Sequence, residues 1–172
     1  MPFLVQSNYG DVAGANAYLS VAEFKGYHDE RGQSYGAASD SAIEQAIVKA
    51  TSYLDGRFSF VGSKSYGRPQ STAWPRTNAV DADGDTVFGV PREVKNACAE
   101  YALRALTAPL APDPLRDSSG ATVVSRSESL GPLSESYTFA AGGSFRMPKY
   151  PAGDNWLRKS GLLESGGETV RG

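Results

Sequence analysis

Two apolar helical stripes lie on either side of a segment too long to be a plain connection, so the chain can only adopt a fold in which that segment is itself structured. Ile43, Ala46, Ile47, Ala50, Tyr53 and Leu54 recur at spacings of three and four, which puts them on one face of a helix of about three to four turns. Ser41, with Glu44 three positions later, can form a capping box at its start, and Gly56 can end it. The second stripe holds Val94, Ala97, Cys98, Tyr101, Ala102, Ala105 and Leu106; it begins at Pro91, a residue favoured at the first helical position, and Pro109 forbids its continuation. Its alanines permit close approach, so the two helices are expected to be neighbours, with Ile47, Leu54, Val94, Cys98 and Tyr101 buried together. Residues 56–90 far exceed the ~4–6 residues of a median connection. They hold Ala73-Trp74-Pro75-Arg76-Thr77 and, later, the turn-rich acidic run Asp81-Ala82-Asp83-Gly84-Asp85.

The flanks carry weaker signals. Ser20 and Glu23 form a second capping-box pattern, opening a short helix that includes Val21, Phe24 and Tyr27 or His28 and stops near Gly32. Beyond Pro109, Thr122-Val123-Val124 and Tyr137-Thr138-Phe139 flank Leu130-Gly131-Pro132-Leu133, the pattern of a β-hairpin or extended arm. The tail offers one short helix, capped by Asp154, with Trp156, Leu157, Leu162 and Leu163 as its apolar content. That is too little to fold unless something docks it. With 19 Gly and 10 Pro in 172 residues, much of the chain must lie outside regular elements. The expected fold is mainly α: a small helical bundle with a long inter-helix loop, a β-hairpin or extended arm and a C-terminal docking segment. The corresponding boundaries are an N-terminal arm at 1–19, a helical core at 20–108, the β arm at 109–145 and a docking tail at 146–172.

Several chemistries are disfavoured. His28 is the sole histidine and no Gly-x-Ser-x-Gly elbow exists, so a hydrolase would lack a nucleophile and base, and His28 is expected as a solvated helix-face residue. One Cys and one His cannot make a zinc site. Asp81, Asp83 and Asp85 resemble the opening of a calcium loop, but Thr86 stands where a Gly is needed and Arg92 where a bidentate Glu is needed, which leaves a polar turn. No phosphate-cradling motif is present. The chain is therefore expected to be no enzyme and to need no cofactor. Cys98, the only cysteine, is expected buried, and no apolar run reaches the ~18–20 residues of a membrane span, so no membrane association is expected and folding is placed in a reducing cytoplasm.

Seventeen basic residues against nineteen acidic ones, a formal charge of -2, leave no like-charge block to neutralise phosphates. Trp74 between Arg68 and Arg76 can be imagined as a platform for stacking a nucleic-acid base. The simpler expectation is that Trp74, Pro75 and Arg76 anchor the long loop onto the helices.

Taken in order, Ala15-Asn16-Ala17-Tyr18-Leu19-Ser20, Ala50-Thr51-Ser52-Tyr53-Leu54-Asp55-Gly56-Arg57-Phe58, Ala73-Trp74-Pro75-Arg76-Thr77, residues 90–102 from Val90-Pro91-Arg92-Glu93 onward, and Leu130-Gly131-Pro132-Leu133 resemble phage and prophage proteins often labelled DnaT-like single-stranded DNA-binding proteins. These are similar to the head-tail connector (adaptor, or head-completion) family of tailed phages. The resemblance spans roughly residues 15–139. It implies a structural virion protein at the head-tail interface, assembled in the host cytoplasm as a dodecameric homo-oligomeric ring. Its expected partners are the portal protein and the next connector or tail protein, with packaged DNA passing through the channel without sequence-specific binding. Trp156, Leu157, Arg158, Lys159, Leu162 and Leu163 are then the expected portal-binding residues. A single-stranded nucleic-acid-binding module is the alternative function.

Overall fold

The structure is a computed structural model that describes residues 2–113, 123–129, 134–139 and 149–168. It divides into two compact units: Met1–Leu110 with Pro148–Thr169, and Ala111–Met147 with Val170–Gly172.

In the first unit, helix α1 (Val21–Asp29) opens with the Ser20/Glu23 capping box: the Ser20 hydroxyl accepts from the Glu23 amide and the Glu23 carboxylate accepts from the Ser20 amide, satisfying two orphan donors at once. Helix α2 (Asp40–Arg57) starts earlier than the Ser41 pattern suggests. Ser39 is the N-cap, its side chain accepting from the Ala42 amide, and Gly56 lies inside the helix. Helix α3 (Arg92–Ala105) follows Pro91, which stands at the N-cap and contributes no side-chain bond. α2 and α3 pack along their lengths, with Ile43, Ile47, Leu54, Val94, Cys98 and Tyr101 fully buried between and around them. Cys98 lies against the Thr51 hydroxyl, and burial pushes its thiol up to about 12, so it behaves as a small apolar group.

The 58–90 segment is built on short antiparallel pairs. Strand β2 (Ser63–Lys64) pairs with β3 (Arg76–Thr77), and β1 (Phe58–Phe60) pairs with β6 (Leu163–Glu168), bringing the chain's end back to the exit of α2. The fold is thus mixed: helices with a few short antiparallel strands among the described residues, where a mainly α bundle was expected. Short-range alternation over two or three residues is too brief to register as a strand in a sequence. Gly62 (φ +78°) turns β1 into β2, and a Cβ there would lie 2.4 Å from the Thr77 carbonyl oxygen.

Residues 1–19, expected as an arm, belong to this unit. Val5 bridges Ala17 in parallel, and Ala17, Tyr18 and Leu19 are buried. The expected docking tail belongs to it as well. Helix α4 (Pro151–Arg158) lies on α3, made possible by Gly153, where a Cβ would come within 2.5 Å of the Tyr101 ring. Asp154 does not cap this helix; Tyr150 occupies that position and Asp154 is buried inside it.

The second unit contains the antiparallel hairpin of β4 (Val123–Ser129) and β5 (Ser134–Phe139), with Val123 opposite Phe139 and Ser129 opposite Ser134. Its turn, with Leu130-Gly131-Pro132-Leu133, lies outside the described residues. No described helix is long and apolar enough to cross a membrane.

Candidate nucleic-acid interface

Trp74 cannot stack on a base. It is fully buried, edge-to-face with Phe60 at 5.6 Å, and its amide donates to the Tyr18 hydroxyl at 3.1 Å. Pro75, joined to it by a cis peptide bond, is buried, and its carbonyl accepts from Ser65 and Gln70. Arg76 spends its guanidinium on main-chain carbonyls: Nε on Val61 at 2.7 Å, Nη2 on Gly62 at 2.6 Å and Nη1 on Ala73 at 3.3 Å. The Trp-Pro-Arg segment is therefore structural in its contacts, and Arg68 stands exposed.

The surface has a different concavity, a groove of about 730 Å³ between α1 and α3 to which α4 contributes Trp156. From α1 and its C-cap it takes Glu23, Gly26, Tyr27 and Glu30, and from α3 it takes Arg92, Lys95, Asn96 and Ala99. Each set follows the i, i+3, i+4, i+7 rule, so each is one helix face. Lys95 Nζ reaches across to Glu23 Oε1 at 2.7 Å. Partial burial acts to raise the Glu23 carboxyl, but the bonds from Lys95 and from the Ser20 amide and hydroxyl outweigh it and leave this group below the ordinary range.

The Arg31 guanidinium carbon sits over the Tyr27 ring, 3.7 Å from its centroid, with Nη1 donating to the Tyr27 carbonyl at 2.9 Å. Trp156 joins this cluster: its indole N–H donates to the Tyr27 hydroxyl at 3.1 Å, its ring centre is 6.0 Å from the Arg31 guanidinium, and the Tyr27 hydroxyl donates to Glu100 at 2.7 Å. Burial, then donation to Glu100, raises the Tyr27 phenol to about 12, so it remains a donor at neutral pH. Elsewhere on the groove wall Phe88 is 70% exposed and meets Tyr9, 68% exposed, edge-to-face at 5.6 Å. The Val90 amide donates to Asn8 Oδ1 at 3.3 Å, which ties the Phe88 loop to the N-terminal segment.

The residues expected to bind a portal are distributed otherwise. Leu157 and Leu162 are buried in the chain's own core and Leu163 is half-buried in β6 opposite Phe60, because Gly153 lets α4 approach closely enough to bury them. Trp156 alone joins the groove, while Lys159 lines a smaller cavity of about 260 Å³ with Asp81, Asp83 and Glu93. Arg158 is exposed on α4. In that acidic stretch Asp81 Oδ1 accepts from the amides of Asp83 and Asp85 at 3.0 and 2.9 Å, the geometry of a polar turn. His28 is no solvated residue: it is fully buried, its Nε2 faces the Ala99 carbonyl at 3.2 Å and its Nδ1 faces the Gln33 side chain at 2.8 Å. Paired polar atoms are what allow an imidazole to be buried. Among the described residues, no group of His, Cys, Asp or Glu is placed to hold a metal ion.

Sequence reasoning missed Tyr9, Tyr27, Arg31, Phe88, Arg92 and Lys95 as a set. The two polar stripes at 23/26/27/30 and 92/95/96/99 were readable as helix faces, but nothing local says that they face one another.

A family model described as "Putative DnaT-like ssDNA binding protein" matches residues 1–171. No curated protein and no solved structure matches the chain. The family match overturns the head-tail connector function. What it names is single-stranded DNA binding, the alternative of the two functions considered from the sequence, and with the connector go the portal, the neighbouring connector or tail protein, the dodecameric ring and DNA as a passive occupant of a channel.

Proposed function

This chain belongs to the family of putative DnaT-like ssDNA-binding proteins, and on that premise we propose that it binds unpaired DNA in the groove between α1 and α3, without turnover. The observation that carries this is the groove's composition: Phe88, which touches Tyr9 just outside the lining, and the Arg31–Tyr27–Trp156 cluster stand beside Arg92 and Lys95. Single-strand binding needs that combination, because unpaired bases offer a stacking face whatever their sequence while the phosphates need nearby cations. Three cations (Arg31, Arg92, Lys95) meet two carboxylates (Glu23, Glu30) along the lining, so the electrostatic share is small and stacking must supply most of the affinity.

Fluorescence anisotropy with a labelled single-stranded oligonucleotide, and with the same sequence as a duplex, tests this. Phe88→Ala should weaken single-strand binding by roughly 5- to 150-fold, the range for losing one base-aromatic stack of ~1–3 kcal/mol. Since Phe88 is largely exposed, its melting temperature should hardly move. Arg92→Ala should weaken binding in the same assay. Binding indifferent to both substitutions, or no single-strand binding at all, overturns the proposal.

A further inference from the structure

We propose that Glu100 is a positioning residue for single-strand binding: it touches no DNA, and it holds the Trp156 indole at the groove through the Tyr27 hydroxyl. The inference rests on the single-strand function above and names what fixes one of its stacking surfaces. Glu100 stands on α3 one residue past Ala99, and it is not part of the groove's lining.

The relay runs across three helices. Trp156 on α4 donates its indole N–H to the Tyr27 hydroxyl on α1 at 3.1 Å, and that hydroxyl donates to Glu100 Oε1 on α3 at 2.7 Å. Its order is set by which groups can donate. An indole N–H can only donate and an ionised carboxylate can only accept, so a phenol between them must take from the one and give to the other. Glu100 thereby turns the Tyr27 proton away from Trp156 and leaves a lone pair facing the indole. Donation to a charged acceptor also makes the phenol oxygen a better acceptor in turn. The phenol stays protonated at neutral pH, because it titrates at about 12.

The surroundings of Trp156 explain why it needs such a tether. Helix α4 is 8 residues long, and Trp156 lies near its end. The side chain is half-buried and lines both the groove and the smaller cavity of about 260 Å³, so packing does not enclose it. The N–H bond lies in the plane of the indole and therefore fixes the ring by its edge, leaving a face to stack on a base. Binding to a ring already held in place avoids the entropy of ordering a loose side chain on association.

The test measures single-strand affinity by anisotropy, together with tryptophan emission and its quenching by acrylamide, on Glu100→Ala, Glu100→Gln, Tyr27→Phe and the Glu100→Ala/Tyr27→Phe double variant. The protein has 2 tryptophans and Trp74 is fully buried, so changes in emission report Trp156. Glu100→Ala should weaken binding by roughly 2- to 10-fold, the range for ordering one freed side chain on association, with redder and more quenchable emission. Glu100→Gln loses the same charge but keeps a carbonyl acceptor, and should restore most of both. In Tyr27→Phe, which has no hydroxyl to pass the bond on, removing Glu100 should add nothing. The inference is overturned if Glu100→Ala leaves affinity or emission as in the wild type, or if Glu100→Gln is as damaged as Glu100→Ala. It is overturned equally if removing Glu100 does as much harm in the Tyr27→Phe background as alone. Should Glu100→Ala not fold, Tyr27→Phe decides: wild-type emission and affinity in that variant overturn the relay. The groove reading is separable, since Phe88→Ala and Arg92→Ala weaken binding whether or not Trp156 is tethered. If those two change nothing, the groove and its relay fall together.

Discussion

Asp55 shows how much one side chain can be asked to hold. Its carboxylate accepts from the Tyr18 hydroxyl and, at 2.9 Å, from the Ala73 amide, while the Trp74 amide donates to that same Tyr18 oxygen. Three segments distant in sequence are thereby pinned at one buried point. Burial raises the Asp55 carboxyl from an ordinary 3.8 to about 6, against the lowering effect of its hydrogen bonds, so the native state holds a proton that the unfolded chain releases between those values. Stability therefore rises as pH falls through that window, by an amount on the order of 3 kcal/mol if Asp55 acts alone. Thermal melting should show a higher midpoint at about pH 5 than at about pH 7.5, and Asp55→Asn should flatten the difference, because the amide does not titrate. A wild-type midpoint that falls over the same interval would contradict this assignment. Glu23, whose carboxyl is held low, works the other way only below its ordinary value of 4.5, outside that interval.

Among the elements, α4 decides whether Trp156 lines the groove. It is held by a buried ion pair in which Arg57 Nη1 and Nη2 donate to the two oxygens of Asp154, both at 3.0 Å, and the Tyr101 hydroxyl adds a bond at 2.7 Å. Both partners are almost fully buried, at 0% and 3% exposure. Removing one leaves the other charge stranded, which typically costs about 3–5 kcal/mol. Asp154→Ala should lower the melting temperature and release α4, and with it Trp156. Because Trp74 is buried and Trp156 is not, a red shift of tryptophan emission reports that release, and oligonucleotide affinity should fall with it. An unchanged spectrum in a destabilised variant would mean that α4 is held mainly by Leu157 and Gly153 packing.

At the scale of the whole molecule, a formal charge of -2 conceals a local surplus of one positive charge in the groove, three cations against two carboxylates. Net charge speaks to non-specific attraction at a distance, whereas a groove works within a Debye length of ~8–10 Å. With three cations available, the logarithm of the single-strand binding constant should fall against the logarithm of salt concentration with a slope no steeper than about -2. Titrations across a salt series check this. A much steeper slope would place additional cations outside the groove in contact with DNA.

The sequence by itself determined that three helices exist, opened by Ser20, carrying the Ile43–Leu54 stripe and following Pro91, together with the Ser20/Glu23 cap, since each depends on residues within a few positions of one another, whereas the Ser39 cap of α2, its run past Gly56 and the choice of hairpin over extended arm came from the structure. It also determined that Ile47, Leu54, Val94, Cys98 and Tyr101 share a core, because their stripes leave those faces nowhere else to go. Trp156 was legible as consequential, a large aromatic that its own short helix could not bury, though what it meets was not. Only the tertiary structure decided that the 151–158 helix returns to its own core through Gly153 and Asp154, that Trp74 is enclosed, and that the Glu23–Glu30 and Arg92–Ala99 faces border one groove. The physical reason is sequence separation: Arg57 and Asp154 meet across 97 positions, Tyr27 and Trp156 across 129, and no local periodicity records a contact made over such distances.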